Sequence, residues 1–344
     1  MRTARPIEII GGGLAGLSLG LALRRAGVGV TVLEAGDYPR HRVCGEFVTG
    51  LGATTIARLG LAPLLKDAGR LREVIWLVRG RELHRQRLPA PALALSRHTL
   101  DARLARAFTD AGGHLLTGTR VNPEEAPEGR VFATGRRRAT DKGASWLGLK
   151  LHARGLRLTS ELEFHLGDDA YVGLCPVEDG RVNVCGLFRL RAEVTAGRET
   201  VLVAYLHATG LDALAARLGE VEICPASCSA VAGVGFDRRA AETGRMNLGD
   251  TFAMIPPFTG NGMAMAFQSA EVALDPLLAW AQGEAGWAET VRLTGGRLRR
   301  RFRRRLVTAA TVHPFLHSPP RQRWLALAAR SGLLPLRPLY HLLH

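Results

Sequence analysis

The feature that most constrains this chain is a glycine-rich turn near its start, between two short apolar runs. Residues 7–10 have the composition of a buried strand, and Gly11-x-Gly13-x-x-Gly16 leads from them into a helical pattern. The first glycine permits a tight turn, the second lets the backbone approach a pyrophosphate, and the third lets the helix pack on the strand. Free N–H groups at the start of the helix would hold the phosphates. The residues predicted to bind a dinucleotide at this turn are Gly11, Gly13, Leu14, Ala15 and Gly16.

An acidic residue follows the second apolar run, residues 28–33, at the distance from the glycines that dinucleotide-binding units use. This residue is Glu34, and we expect its carboxylate to accept hydrogen bonds from the adenosine ribose hydroxyls, with Ala35 beside it in the site. A carboxylate at this position disfavours the 2′-phosphate of NADP. The motif therefore predicts a bound dinucleotide, and both FAD and NAD are open on the motif alone.

Length and charge limit the class of protein. The 344 residues suggest about two domains, and the net charge of +15 would suggest nucleic acid if the basic residues formed one patch. The arginines are instead scattered, apart from a dense run at 297–305, and only four tyrosines are available to stack on bases. We therefore expect no nucleic acid among the partners.

The cysteines and the apolar runs indicate where the protein resides. The five cysteines are odd in number, form no Cys-x-x-Cys and have no histidine at zinc-finger spacing. This pattern predicts reduced thiols, without a disulfide framework or a metal site. The glycine motif begins ten residues into the chain, which leaves no room for a cleaved signal peptide, and no apolar run is long enough to span a membrane. We expect a cytoplasmic protein.

The order of strand and helix patterns divides the chain into parts. Strands and helices alternate at first, whereas residues 144–231 are mostly strands, with Glu178-Asp179-Gly180 as a hairpin turn. An antiparallel sheet between parallel elements is typical of a second domain that shapes a substrate pocket. We predict an α/β fold with three parts: a discontinuous nucleotide-binding domain at 1–70, 96–140 and 232–284, a substrate-binding β-sheet domain at 71–95 and 141–231, and a helical C-terminal segment at 285–344.

Several local signals predict where helices begin and end. Ser96 is a candidate N-cap for a helix that starts at the next residue, and residues 200–218 are expected to form one short helix. A later helix is expected to stop at Leu274, because Asp275-Pro276 follows it. In the basic segment, three apolar residues stand four apart. We interpret this pattern as an amphipathic helix packed on the body, and contact of the 297–306 helix with an anionic membrane is the alternative.

A second glycine site lies far from the first along the chain. Gly249-Asp250 ends an apolar run, and Gly260-Asn261-Gly262-Met263 then opens a helix. Two glycines at a helix start leave backbone N–H groups facing a ligand. The sequence therefore predicts a second anion or carbonyl-oxygen site within one chain.

Taken in order, these motifs resemble those of a flavoprotein family that includes geranylgeranyl reductases, FAD-dependent halogenases and single-component aromatic hydroxylases. The resemblance covers residues 5–140 and 245–275, and the run Arg42-Val43-Cys44-Gly45-Glu46 resembles the geranylgeranyl reductase branch most. The Trp-x-Trp-x-Ile-Pro motif of the halogenases is absent. The resemblance implies FAD as the cofactor and a Rossmann-like FAD-binding domain of the glutathione-reductase type.

The resemblance also implies roles for individual residues. Asp250 would bind the ribityl chain, residues 260–263 would face the pyrimidine end of the isoalloxazine, and Arg42 would approach the phosphates or the ribityl chain. Cys44 would lie beside the flavin on the substrate side, where it or Tyr171 would relay a proton. The further residues predicted to bind the cofactor are Arg42, Val43, Cys44, Arg97, Val121, Gly249, Asp250, Gly260, Asn261, Gly262 and Met263.

Three functions stay open at this point. The favoured one is a flavin monooxygenase that hydroxylates an aromatic or polyketide-like molecule, because the resemblance implies that such substrates are the commoner ones for compact members of the family. The predicted antiparallel strands are poor in charged residues, which suits an apolar substrate in either enzymatic function. The alternatives are an ene-reductase that acts on an isoprenoid or other C=C bond, and a non-catalytic flavin-binding protein. No second glycine motif for a nicotinamide cofactor is present, which both enzymatic functions tolerate. The expected partners are an apolar small-molecule substrate and, as electron donor, NAD(P)H or a redox partner.

Overall fold

The computed structural model describes residues 4–122, 124–135, 146–236, 244–331 and 336–343. The strands are β1 (Ile7–Ile10), β2 (Val30–Leu33), β3 (Phe47–Val48), β4 (Gly69–Val78), β5 (Arg81–Ala94), β6 (His114–Leu116), β7 (Arg130–Phe132), β8 (Trp146–Arg154), β9 (Leu162–Gly167), β10 (Ala170–Val177), β11 (Arg181–Arg189), β12 (Glu222–Val234) and β13 (Met246–Asn247). The helices are α1 (Leu14–Arg25), α2 (Ala53–Leu59), α3 (Arg97–Asp110), α4 (Val201–Ala208), α5 (Asp212–Gly219), α6 (Gly262–Gln282), α7 (Trp287–His317), α8 (Pro319–Arg330) and α9 (Leu336–Leu343). Short 3₁₀ turns lie at Ala62–Leu64, Gly249–Thr251 and Pro257–Thr259.

A five-stranded parallel sheet forms the first layer, in the order β13-β7-β1-β2-β6. Ile9 and Val32 on one face of its central strands are completely buried, whereas Glu8 and Thr31 on the other face are half-buried. A parallel sheet of this kind is covered by helices on its faces, which explains the continuous apolar runs in the sequence. The carboxyl ends of β1 and β2 lead directly to the first glycine turn and to Glu34. The predicted α/β fold with a Rossmann-like core is confirmed.

The second sheet has eight strands in the order β12-β8-β11-β10-β9-β4-β5-β3. Its pairs are antiparallel except for β4 and β9, which run parallel and come from separate segments of the chain. Asp179 and Gly180 both adopt positive φ in the turn between β10 and β11, as the predicted hairpin requires. The second sheet is therefore the antiparallel layer that the sequence predicts, with one parallel pair that the sequence analysis did not foresee. The predicted boundary at residues 140–141 lies outside the described residues.

The two faces of the second sheet pack into two different hydrophobic clusters. Alternate residues of β8, β10 and β11 pack with α4 and α5 in one apolar cluster, which includes Leu151, Val172 and Leu206. The intervening residues face the other way and join the core of the parallel sheet and the C-terminal helices, as Tyr171 does. This second face is the one that meets the glycine turns.

Two predictions about helix ends are wrong. Residues 200–218 form two helices, because Gly210 takes a φ of 71° between them and the Thr209 carbonyl accepts from Asp168 N. The helix that opens at Gly262 continues through Asp275-Pro276 to Gln282. A proline inside a helix removes one backbone hydrogen bond, but Leu277 and Trp280 beyond it are buried, and their burial favours continuation. The predicted N-cap is confirmed, since Ser96 Oγ accepts from Thr99 N at 3.1 Å.

The basic segment packs on the body through α7. Leu298 and Phe302 are buried and Leu306 is half-buried, which agrees with the predicted apolar stripe. One arginine of this helix also faces the body: Arg305 is 5% exposed and donates to Gln268 Oε1 of α6 at 2.8 Å. Within the described ranges, no helix is both long and apolar enough to cross a membrane.

Candidate functional site

Glycines are required at the first turn for two different reasons: close backbone packing at Gly11 and Gly16, and open space for a ligand at Gly13. Gly11 has a φ of 106°, and a Cβ on it would lie 2.3 Å from the Ala133 carbonyl oxygen. A Cβ on Gly16 would lie 2.0 Å from the Gly11 oxygen, so close packing of helix on strand requires the third glycine. A Cβ on Gly13 would meet no atom within 4 Å. The backbone at the start of α1 therefore faces open space, as the binding of a phosphate group requires.

Glu34 organises this turn. Its carboxylate accepts from Gly12 N at 2.7 Å and from Gly36 N at 3.0 Å, and it forms an ion pair with Arg40. A carboxylate has about four acceptor positions, so these three donors leave room for roughly one hydroxyl. Glu34 is thus placed at the predicted position, but part of its hydrogen-bonding capacity already holds the protein backbone.

The two other residues predicted near Glu34 differ in exposure. Ala35 is exposed beside it, whereas Val121 is half-buried in the loop after β6. That loop is tied to Glu34, whose carbonyl accepts from Thr119 N at 2.9 Å. Val121 therefore lies close to the acidic end of the site, two residues beyond Thr119.

An arginine pair shares one buried aspartate next to the turn. Asp101 accepts from Arg42 Nε at 2.9 Å and from Arg97 Nε and Nη2 at 2.7 and 2.8 Å. Arg42 Nη2 is buried 3.8 Å from Glu34 Oε2 and has no hydrogen-bond partner among the described residues. Burial, together with the neighbouring Arg97, lowers the pKa of Arg42. An unpartnered guanidinium N–H at this point suits an anionic ligand group.

The second glycine site repeats the pattern at α6. A Cβ on Gly260, which has a φ of 65°, would lie 2.3 Å from the Phe47 ring, whereas one on Gly262 would meet no atom within 4 Å. Thr49 clamps this turn, because its N–H donates to Gly260 O at 3.2 Å and its Oγ1 donates to Thr259 O at 2.9 Å. The loop that follows Cys44 is therefore fixed to the start of α6. Asn261 and Met263, the other residues predicted here, are both buried.

Helix α6 brings the two glycine sites together. Gly249 N donates to Ser269 Oγ of α6 at 2.9 Å, and a Cβ on Gly249 would lie 3.2 Å from Ala15 Cβ of α1. Asp250 follows at the carboxyl end of β13, with its side chain exposed. The structure thus places Gly249 between the first turn of α1 and the second turn of α6, with Asp250 next to it in the chain. These positions fit an elongated ligand with an anionic part at one end.

The inward face of the second sheet changes from polar to aromatic along its strands. The strand register aligns its residues in three rows, which are His152, Asn183 and Cys175, then Lys150, Cys185 and Gly173, then Gly148, Leu187 and Tyr171. Val43 covers Gly148, since a Cβ there would lie 2.9 Å from Val43 Cγ1. The loop at residues 43–47 therefore forms the opposite wall of this face.

A buried charged cluster occupies the polar end. Glu46, which has a φ of 58°, accepts from Lys150 Nζ at 3.0 Å and from Arg97 N at 2.9 Å, and lies 2.6 Å from His152 Nε2. Glu46 and His152 have no exposed surface, and Lys150 is 1% exposed. Although desolvation opposes ionisation, hydrogen bonding to His152 and the charge of Lys150 hold the pKa of Glu46 below its usual range. Glu46 is thus an ionised carboxylate held by two strand residues.

The two predicted proton donors lie apart. Cys44 Sγ accepts from Glu46 N at 3.4 Å, and burial raises its pKa, so the thiol is protonated at neutral pH. Tyr171 Oη lies 3.3 Å from His313 Nε2, and burial raises its pKa as well. No hydrogen bond joins Cys44 to Tyr171 in the described chain, and they belong to opposite ends of the face.

Several residues of this face were not predicted. Lys150 and His152 stand two apart in an otherwise apolar strand, a spacing that places both on one face and could have marked them. His313 of α7 stacks on Phe258 and closes the aromatic end. It gave no sequence signal, because its neighbours come from β10 and from the turn before α6.

Comparison with known proteins agrees with this geometry. Residues 9–67 match the family model of the NAD(P)-binding Rossmann-like domain. The menaquinone reductase of Mycolicibacterium smegmatis is 29% identical over 125 residues, which are 35% of this chain and 31% of that protein. The match thus spans less than a third of that relative's length.

Solved structures resemble the whole chain. Klebsiella pneumoniae HpxO, crystallised with FAD and uric acid, superposes with a TM-score of 0.76 at 19% identity over 99% of this chain and 97% of HpxO. The p-nitrophenol 4-monooxygenase PnpA of Pseudomonas putida superposes with a TM-score of 0.71 at 16% identity over 99% of both chains. This chain has the fold of the FAD-dependent monooxygenases. The resemblance that the motifs indicate is confirmed at the level of this fold.

Proposed function

We propose that this chain is an FAD-dependent oxidoreductase that acts on an apolar small molecule as a monooxygenase. The observation that carries the proposal is the pair of open helix starts, at Gly13 of α1 and Gly262 of α6. A nicotinamide dinucleotide would need only the first of them. FAD has a pyrophosphate for one and a redox-active ring for the other, and it would supply the electron transfer and the reaction with oxygen.

The chain's own residues would bind and orient this cofactor. Gly13 and Arg42 would hold the pyrophosphate, Glu34 would accept from the ribose, and Asp250 would hold the ribityl chain. The N-terminus of α6 carries a partial positive charge, which would stabilise negative charge on the pyrimidine end of the ring. These roles follow from the positions of the residues and from the resemblance to the family.

The aromatic end of the sheet face supports an aromatic or polyketide-like substrate. Tyr171 stacks on Phe164 with ring centroids 5.4 Å apart and packs edge-on against Phe258 at 6.4 Å. Trp146 extends the cluster through His313. Aromatic walls of this kind bind flat apolar molecules through burial and offset stacking.

A second candidate function is reduction of a C=C bond. It is favoured by the partial match to menaquinone reductase and by Cys44, which keeps its proton at neutral pH. In this reaction Cys44 would donate the proton that completes reduction of the substrate. Non-catalytic flavin binding remains the third alternative, and nothing in the charged cluster favours it.

The cofactor assignment is tested on the purified protein. We expect a yellow preparation that releases FAD on denaturation. A colourless preparation that takes up NAD but no flavin would overturn the assignment.

The reaction type is tested through Cys44→Ser, with Cys228→Ser as the matched control. Cys228 is buried in the apolar cluster beneath α4 and α5, on the side of the second sheet opposite the loop that contains Cys44. For a monooxygenase, turnover requires oxygen and both variants retain most of it. For a reductase that uses the thiol, turnover continues without oxygen and falls about 10²–10⁴-fold in Cys44→Ser alone. Product formed per flavin reduced, with and without oxygen, separates the two.

The electron donor and the location belong to the same proposal. We infer that NAD(P)H or a redox partner reduces the cofactor, although the sequence has no second glycine motif for a nicotinamide dinucleotide. A cytoplasmic location and contact of the basic 297–306 helix with an anionic membrane are further parts of it. Stopped-flow reduction by NADH, NADPH and a reduced ferredoxin would identify the donor.

A further inference from the structure

The exposed apolar side chains of this protein are concentrated near its C-terminus. Of seven large apolar residues exposed in the described ranges, five lie between residues 307 and 342. These five are Val307, Phe315, Trp324, Leu327 and Leu342. Trp324 is 69% exposed, which is unusual for the side chain with the largest apolar surface. Such a concentration on one group of helices marks an interaction surface.

A basic groove lies on the same helices. It has a volume of about 740 Å³ and is lined by Arg299, Arg300, Arg303, Arg304, Val307, Thr308 and Leu342. The four arginines are exposed, and none forms an ion pair with a described acidic residue. We refer to this feature as the arginine groove.

The arginines between residues 299 and 305 of α7 divide into two sets, those that contact α6 and those that face the groove. Arg301 pairs with Glu271 at 3.1 Å, and Arg305 donates to Gln268, so these two hold α7 on α6. The arginines of the groove occupy the positions between and beside them and point outward. Arg301 and Arg305 therefore hold α7 on α6, whereas no acidic residue in the described ranges neutralises the four arginines of the groove.

Helix α8 adds an apolar edge. Gln322 anchors it to the body by donating to Gly167 O and Leu316 O, both at 2.8 Å. Trp324 and Leu327, together with Pro320 and Arg323, line a second groove of about 370 Å³ on its exposed side. The anchored helix thus presents a tryptophan and a leucine one turn apart to the surroundings.

We propose that helices α7–α9 dock this protein on a membrane of anionic lipids. The arginine groove binds lipid phosphates, because guanidinium groups pair with phosphate through two parallel hydrogen bonds. Trp324 and Leu327 enter the headgroup layer, where tryptophan is enriched. Basic side chains on α7 together with exposed Trp and Leu side chains on the next helix, α8, are the combination of residue types that interfacial helices use.

The same helix reaches the sheet face described above. His313 of α7 contacts Tyr171 and lies nine residues after Arg304, which corresponds to about 14 Å of helix. If the proposed function holds, docking through α7 brings the aromatic end of the site close to the lipid. The substrate class is then an apolar molecule dissolved in the bilayer.

The test measures sedimentation of the FAD-loaded full chain with vesicles of phosphatidylcholine, alone or mixed with phosphatidylglycerol. We expect binding to the mixed vesicles only, weakened by added salt. The triple variant Arg300→Gln, Arg303→Gln, Arg304→Gln should bind about a hundredfold more weakly, at roughly fivefold for each arginine. Trp324→Ala should weaken binding without changing its salt dependence.

A matched control variant removes three positive charges from surfaces outside helices α7–α9. Arg25, Arg106 and Arg157 are exposed on α1, on α3 and after β8, and their replacement by Gln should leave vesicle affinity within about threefold. Equal binding to neutral vesicles, equal loss in both triple variants, or full displacement by millimolar inorganic phosphate at constant ionic strength would overturn the proposal. Vesicle binding needs no turnover, so its failure would leave the oxidoreductase assignment unaffected.

Discussion

The first glycine turn and the charged cluster on the second sheet are each organised by a buried glutamate, Glu34 in the turn and Glu46 in the cluster. Glu34 lies 22 residues from the backbone N–H that it accepts from, so a single strand–helix–strand unit brings the two together. Glu46 lies 104 and 106 residues from Lys150 and His152, so only the pairing of distant strands and the docking of a loop can assemble its cluster. The difference shows that local backbone geometry builds one constellation and the whole fold builds the other.

The largest effect is expected at the charged cluster. Lys150→Met should destabilise the protein by about 3–5 kcal/mol, because it leaves the ionised Glu46 buried without its lysine counter-charge. The double variant Glu46→Gln, Lys150→Met should recover most of this loss, since neither charge is then unpaired. Urea unfolding of the three proteins measures the effect, and equal stability of single and double variants would contradict it.

At the first glycine turn, the added volume of a single methyl group should be enough to change stability or FAD binding. Gly16→Ala should cost about 3 kcal/mol of stability, because its Cβ would lie 2.0 Å from a backbone oxygen. Gly13→Ala is the matched variant, and we expect unchanged stability but at least tenfold weaker FAD binding, because its Cβ enters the open space at the start of α1. Thermal unfolding and flavin titration measure the two quantities. If Gly13→Ala binds FAD normally, the phosphates lie elsewhere.

Glu34→Gln sharpens the comparison between the two glutamates. One charge-assisted hydrogen bond to the ribose contributes roughly 1.5–3 kcal/mol, so FAD affinity should fall about tenfold to a hundredfold. The amide keeps one oxygen acceptor for the turn, and we expect the fold to persist. Flavin titration followed by fluorescence gives the affinity, and circular dichroism checks the fold. Unchanged affinity would show that the backbone contacts of Glu34 are its whole role.

A graded effect of pH is expected at the aromatic end of the sheet. Burial, reinforced by His317 and Arg189, lowers the pKa of His313 from 6.5 to about 3. The unfolded chain therefore binds a proton between these values that the folded protein does not bind. Stability should fall by about 1.4 kcal/mol per pH unit as the pH drops from 6.5 towards 3. His313→Phe should remove this pH dependence of stability, whereas His114→Gln, at an exposed site, should leave the pH dependence unchanged. Urea unfolding at several pH values measures it.

The sequence predicts the parts of this protein that depend on local signals. The motif Gly11-x-Gly13-x-x-Gly16, the N-cap at Ser96 and the hairpin before Arg181 each depend on a few adjacent residues, and each is present. The assignment of α6 fails at Pro276, because tertiary burial of the residues beyond it outweighs a local stop signal. The individual roles assigned to Cys44 and Tyr171 stay predictions.

The remainder of the site lies beyond local signals for a physical reason. Lys150 and His152 acquire their partner through the register of β8 and the loop at Glu46, and neither can be read from neighbouring residues. His313 meets Tyr171 only when α7 packs against the second sheet. The partners of such residues are set by sheet register and helix docking, so they can be predicted only from the fold of the whole chain.

The strand order has a consequence for how the chain is made. Successive strands enter the parallel sheet, then the second sheet, then the parallel sheet, the second sheet and the parallel sheet again, which amounts to four crossings. During synthesis, the parallel sheet therefore lacks its edge strand β13 until residue 247 has left the ribosome. Any cut between β3 and β12 divides both sheets at once. A split-protein version of this chain would thus report reassembly of both layers together, with no fragment that holds either sheet intact.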